Sequence, residues 1–134
     1  MRIPFYSTPY DISSFAPPGI DVISHMVIAR FHGGASLMTY VWFYQMVRNH
    51  GPWDYKQGRA EYANFGNFHY GAVGAAAGIP DGILLRGAGM AQILAGTSDP
   101  VEFAKYQGAY AYGDDPVDQL WIRAGIDYAR RSGF

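Results

Sequence analysis

The sequence predicts an all-α fold: a compact single-domain bundle of about five to six helices with a long irregular central segment. Three observations carry that prediction. No stretch of useful length alternates apolar and polar residues as a half-buried strand requires. Apolar residues recur instead at three- and four-residue spacing, the period of a helix face. Pro, Gly and Asp fall between these runs, where helices start and stop. With 134 residues the chain can bury one core and is too short for two.

Residues 1–20, with Pro4, Pro9, Pro17, Pro18 and Gly19, read as an extended arm or the end of a linker. The folded domain is then expected over residues 21–134. Asp21 caps a first helix that runs to about His32 and places Val22, Met26 and Ala29 on one face. Gly33 and Gly34 break it. A second helix, Ala35 to about Asn49, is apolar nearly all round, which predicts the central, buried helix; Asn49, His50, Gly51 and Pro52 stop it. The irregular segment follows, "GPWDYKQGRAEYANFGNFHYG" over residues 51–71, with at most a helical turn at Arg59–Ala63. Next comes a small-residue helix at about Gly71–Gly78, where Gly74 and Gly78, four apart, would let a second helix approach. Asp81 caps a helix to about Leu94, and Asp99–Pro100 opens a short one ending at Gly108. The last helix, in "GDDPVDQLWIRAGIDYARR", has Pro in its first turn, acids at its start and arginines at its end, as the helix dipole favours.

Hydrophobic residues make up 49% and aromatics 16%, which excludes a disordered or collagen-like chain. Ten basic against eleven acidic residues leave no overall basic footprint for a polyanion, and Arg123, Arg130 and Arg131 form the sole basic cluster. The absence of cysteine excludes disulfides, zinc fingers and thiol catalysis. The first residues lack the apolar run of a signal peptide. Leu37–Val47 and Gly71–Ile79, the longest apolar segments, fall short of the roughly 20 residues that span a bilayer, so a soluble domain without stable membrane insertion is expected.

Polar groups concentrate in the central segment. Asp54 and Lys56 flank Tyr55 and share one side of an extended chain; they make either a substrate contact or a surface ion pair. Glu61 is the segment's only glutamate, and with Asp54 it can flank one cleft as paired carboxylates do in glycoside hydrolysis. His69, between Phe68 and Tyr70 and next to Asn67, is either a general acid or base or a hydrogen-bonded loop histidine. His25 and His32 read as surface or capping residues and His50 as part of a helix stop. Asp114, Asp115 and Asp118 cap the last helix and double as candidate functional carboxylates. The "GAVGAAAG" run lacks the spacing and the following Lys-Ser/Thr of a phosphate loop and reads as close helix packing. No histidine or acid spacing makes a metal site, and no cofactor is expected.

Three motifs in order, "VRNHGPWDYK", "YANFGNFHYGAVGAAAG" and "YGDDPVDQLWIRAGIDYA", resemble the polymorphic toxin type 44 (bacterial toxin 44) domain over roughly residues 41–130. The resemblance implies a toxin tip of a larger delivery protein, secreted or delivered into a neighbouring bacterial cell and neutralised by a cognate immunity protein. Its polar motif positions are Asp54, Lys56, Asn67, His69, Tyr70, Asp114, Asp115 and Asp118. The expected activity is hydrolysis of a cell-envelope glycan such as peptidoglycan or its precursor. Asp54, Lys56, Glu61, His69, Asp114 and Asp118 would be catalytic. Trp53, Tyr55, Arg59, Asn67, Tyr70 and Asp115 would bind substrate. The alternative is a ribonuclease in which Lys56 and Arg59 hold phosphate while His69 or Asp54 moves protons. A third reading, a membrane-disrupting or binding module, requires two short helices to leave the fold.

Overall fold

The structure, a computed structural model, describes residues 12, 15–34, 36–48, 51–55, 62–86 and 116–134. It is all-α: among the described residues there are five helices and no strand. They are α1 (Val22–Phe31), α2 (Leu37–Val47), α3 (Ala63–Ala76), α4 (Asp81–Arg86) and α5 (Pro116–Arg131). The expected helical continuation to Leu94, the helix opening at Asp99–Pro100 and the stop residues Asn49 and His50 lie outside the described residues.

Local chemistry starts these helices where the sequence places the signals. Asp21 accepts a hydrogen bond from the Ser24 backbone N–H at 3.2 Å and caps α1, whose buried residues are Val22, Met26 and Ala29. Ser36 caps α2 by accepting from Thr39 N–H at 3.4 Å. In α5 Pro116 occupies the first turn with Asp118, and Ile122, Gly125, Ile126 and Ala129 form the buried stripe at helical spacing.

The central helix is α3, not α2. Every residue from Phe65 to Gly74 is buried, whereas Leu37 and Met38 of the more apolar α2 are exposed. Helix α5 packs along α3, α1 lies against it and α4 crosses its end. Composition alone favours α2 because its side chains are large and apolar; α3 is central because Gly71 and Gly74 let α5 and α4 close on it while Phe65, Phe68 and Tyr70 fill the space around it. The irregular segment expected as far as residue 71 is in fact helical from Ala63. Glycine in a helix interior costs about 1 kcal/mol relative to alanine, so Gly66, among the polar residues of that stretch, argues locally for a loop, and packing overrides it.

The packing is specific. A Cβ on Gly71 would overlap the Ile122 carbonyl oxygen of α5, and one on Gly125 would overlap the Phe68 carbonyl oxygen and lie 2.8 Å from the Ala72 nitrogen. The two backbones therefore touch, each through a glycine of its own. Gly74 meets the Leu84 side chain of α4. Gly78, expected to share the helix contact with Gly74, instead ends α3. At φ 82° its N–H donates to the Ala75 carbonyl at 2.9 Å while Ile79 N–H donates to the Gly74 carbonyl at 3.0 Å, a Schellman closure.

Side chains fasten the remaining elements to this pair. Tyr70 donates its hydroxyl to the Leu84 carbonyl at 2.8 Å, and Gln119 donates to the Leu85 carbonyl at 2.7 Å. Arg130 of α5 pairs with Asp81 of α4 at the surface. Phe15, from the segment read as an arm, packs on Phe65, Phe68 and Trp121 at ring distances of 5.9, 5.5 and 4.9 Å. No helix among the described residues is long and apolar enough to cross a membrane.

Gly125→Ala is expected to destabilise the protein by about 2–4 kcal/mol, because the methyl group can be accommodated only by separating two backbones. Gly82→Ala, where the added carbon meets open space, is expected to be neutral or to stabilise by up to about 1 kcal/mol. Urea denaturation of the two variants beside the parent checks the contrast; equal midpoints would show that the seam contributes little to stability.

Candidate functional site

Two polar groupings form around α3, on opposite sides of it. Asn67 and His69 are two residues apart, about 200° around a helix of 3.6 residues per turn, so they face different neighbours.

On the α5 side, the buried Asn67 donates its side-chain N–H to Asp118 Oδ1 at 2.8 Å. Asp118 lies in the first turn of α5, where a carboxylate is also favoured by the helix dipole. This bond joins two residues that the sequence marks as candidates, and it pins the start of α5 to the middle of α3.

On the other side, His69 is completely buried, and its Nε2 lies 2.8 Å from Nδ1 of His25 on α1. One ring donates and the other accepts, so at least one of them is neutral. The sequence reads His25 as a surface or capping residue; the structure places it in this pair. It belongs here because it lies three residues after Val22 and four before Ala29, on the stripe that faces the core. That spacing is the signal by which the sequence could have revealed it.

The loop after α2 closes over the pair. Gly51 N–H donates to the Arg48 carbonyl at 2.8 Å and Trp53 N–H to the Met46 carbonyl at 2.7 Å, folding the loop back onto the helix end. Trp53 then stacks on His25 with ring centroids 4.7 Å apart and planes 17° from parallel, and its edge meets His69 at 5.1 Å. Tyr55 and Phe65 pack on His69 at 4.9 and 5.6 Å.

This enclosure sets the proton affinities. Burial, reinforced by the nearby His25, holds the His69 pKa well below its usual value. Its Nδ1 meets no hydrogen-bond partner among the described residues, so a doubly protonated His69 would be a buried charge with one N–H unsatisfied. Burial also lowers His25, opposed by the Asp21 carboxylate one turn away. Asp21 itself is lowered by the Ser24 side-chain and backbone hydrogen bonds. Burial raises the Tyr55 hydroxyl. At neutral pH both imidazoles are therefore neutral. His25 is half-buried, with Nδ1 engaged by His69 and Nε2 as its remaining nitrogen. In the tautomer in which His25 Nδ1–H donates to His69 Nε2, His25 Nε2 is a neutral proton acceptor with a second ring behind it.

The other sequence candidates divide as follows. Trp53, Tyr55 and His69 come together with His25. Asp54 sits half-buried in the same loop. Tyr70 is a core residue, its ring on Phe43 at 5.5 Å and its hydroxyl given to α4. Lys56, Arg59, Glu61, Asp114 and Asp115 lie outside the described residues. Among the described residues no three histidines or acids gather where a metal ion could be held.

The family model described as Bacterial toxin 44 matches residues 57–131, more than half of the chain, including all of α3, α4 and α5. No curated protein and no solved structure matches the chain.

The histidine pair makes stability depend on pH in a stated direction. Both folded-state pKa values lie below the ordinary 6.5, so below that pH the unfolded chain binds protons that the folded one refuses. Stability is complete above about pH 6.5 and falls as the pH drops, by up to about 1.4 kcal/mol per pH unit for the fully buried His69 and by less for the partly solvated His25. Urea midpoints measured from pH 7.5 to 5 should show this fall, and it should be shallower in His69→Gln; a parallel slope in that variant would remove His69 as its source.

Proposed function

The chain belongs to the bacterial toxin 44 family, and from that membership and the geometry of the histidine pair we propose that it is a ribonuclease toxin domain. In this reading it acts on RNA in the cytoplasm of a target bacterium, carried there as part of a larger delivery protein and held inactive in the producer by a cognate immunity protein. The observation that carries the chemistry is the 2.8 Å bond between the half-buried His25 and the fully buried His69. It keeps a neutral imidazole in place at the pH of cytoplasm, the form needed to accept a proton.

His25 Nε2 takes the proton of a ribose 2′-hydroxyl. The freed oxygen forms a bond to the adjacent phosphorus, the bond from phosphorus to the 5′ oxygen breaks, and that oxygen is reprotonated from solvent. The products are a 2′,3′-cyclic phosphate and a 5′-hydroxyl end. His69 acts through His25: by accepting a hydrogen bond from His25 Nδ1–H it leaves Nε2 as the acceptor and fixes the ring plane, and the proton taken up stays on His25. Lys56 and Arg59, which adjoin this loop in sequence, are the proposed phosphate contacts.

Hydrolysis of an envelope glycan, the activity expected from the sequence, draws less support from these residues. It calls for two carboxylates across one cleft. Of the expected pair, Asp54 is half-buried in the histidine loop and Glu61 lies outside the described residues, while Asp118, expected to assist, is bonded to Asn67 on the far side of α3 from the histidines. Two of its three proposed aromatic walls, Trp53 and Tyr70, are only 6% and 1% exposed and leave little face for a sugar.

Expression in bacteria with and without a periplasmic export signal tests the proposal. Killing from the cytoplasm, with RNA degraded before growth stops, is expected, and His25→Gln should lower RNA cleavage at least about 100-fold. The cleavage rate should fall as the pH drops, with its midpoint below the ordinary histidine value of 6.5. Killing confined to the exported form, with lysis and intact RNA, would replace the ribonuclease by an envelope hydrolase.

A further inference from the structure

The rings that enclose the histidine pair continue to the surface. Trp53 lies flat on His25, Trp42 of α2 meets Trp53 edge-on at 5.6 Å and 85°, and His32 lies flat on Trp42 at 4.2 Å and 9°. Phe31 stands perpendicular to His32 at 5.8 Å and 89°. Exposure rises along this series: Trp53 is buried, Trp42 half-buried, His32 exposed and Phe31 88% exposed. His32, the C-cap of α1, lies seven residues beyond His25, two turns along the same side of the helix. That separation is about 10 Å along the axis, a span that a few nucleotides of a single strand can bridge.

We infer that Phe31 and His32 form a stacking subsite for an unpaired base of single-stranded RNA, a few nucleotides from the ribose whose 2′-hydroxyl His25 deprotonates; this rests on the ribonuclease reading. The perpendicular rings make a corner. A base laid on His32 would extend the existing Trp42–His32 stack, with Phe31 as its side wall. Stacking on exposed aromatic rings is how single strands are held without sequence preference, since every base has a π-face. A duplex keeps those faces covered by neighbouring base pairs and cannot offer them. A protein partner is the competing occupant, because Val27, Ile28, Leu37 and Met38 are also exposed on α1 and α2. The flat imidazole favours RNA: its ring nitrogens would be costly to seal in a dry apolar contact, whereas a base covers the ring face and leaves its edge in water.

The test is tryptophan fluorescence of the full chain carrying His25→Gln, titrated with single-stranded oligoadenylate and with duplex RNA of equal length. Trp42 directly beneath His32 is the reporter. The single strand should quench it and bind more tightly than the duplex. Phe31→Ala should weaken single-strand binding about tenfold, and Phe31→Trp should restore it, which a general loss of structure would not. In the cleaving parent, Phe31→Ala should raise KM for RNA. Unchanged affinity and KM in Phe31→Ala, with cleavage intact, would overturn the subsite and leave the ribonuclease standing. Should that variant lose only the binding of a protein inhibitor, the corner belongs to a protein interface and the subsite is likewise overturned. A parent that cleaves no RNA, with a His25→Gln form that binds none, would end the ribonuclease reading itself.

Discussion

The backbones of α3 and α5 touch with no side chain between them, and the other features of the structure follow from that contact. Gly71 faces the Ile122 carbonyl of α5, and Gly125 faces the Phe68 carbonyl and Ala72 nitrogen of α3. Glycine disfavours each helix taken alone, by about 1 kcal/mol per residue. The closeness it permits lets the flanking residues, among them Phe68, Ile122 and Ala129, lose contact with water completely. The helix so surrounded becomes the axis of the molecule, and whatever polar residues it carries must find partners inside.

Asn67 and His69 are those polar residues, and their position on the axis explains why both are paired. An unpaired buried polar group costs about 1–3 kcal/mol. Asn67 answers that cost with Asp118 of α5, and His69 answers it at Nε2 with His25 of α1, while Nδ1 meets no partner among the described residues. The same burial that makes the pairing necessary keeps the imidazoles neutral. A structural requirement of the fold thus yields two neutral imidazoles in contact, half-open at His25 and closed at His69. The aromatic rings around the pair exclude water from His69 and hold His25 in one plane.

The charge of the whole chain, −1, offers little reason to expect a polyanionic substrate. Net charge bears on long-range attraction and solubility, whereas proton transfer is settled within one hydrogen bond. Two histidines 44 residues apart become a unit only when α1 lies on α3. Conversely, Asp118 and His69, which the sequence reads as members of one site, are directed to opposite sides of α3 by the helix that carries both Asn67 and His69.

The sequence by itself determined the fold class and most helix starts, because caps and periodicity act within a few residues. Asp21 before Val22–Phe31, Pro116 and Asp118 at the start of α5, and the core face Val22, Met26 and Ala29 are all local and all legible. It also marked Trp53, Tyr55 and His69 as neighbours in one place. Only the tertiary structure decided that residues 63–71 are helical, that α3 rather than α2 is central, that Tyr70 belongs to the core and that His25 is the partner of His69. Each of these depends on what lies across the space beside a residue. Helix propensity, glycine content and side-chain size describe a residue's own chain. The contact through Gly71 and Gly125 that outweighs them exists only once two distant helices meet.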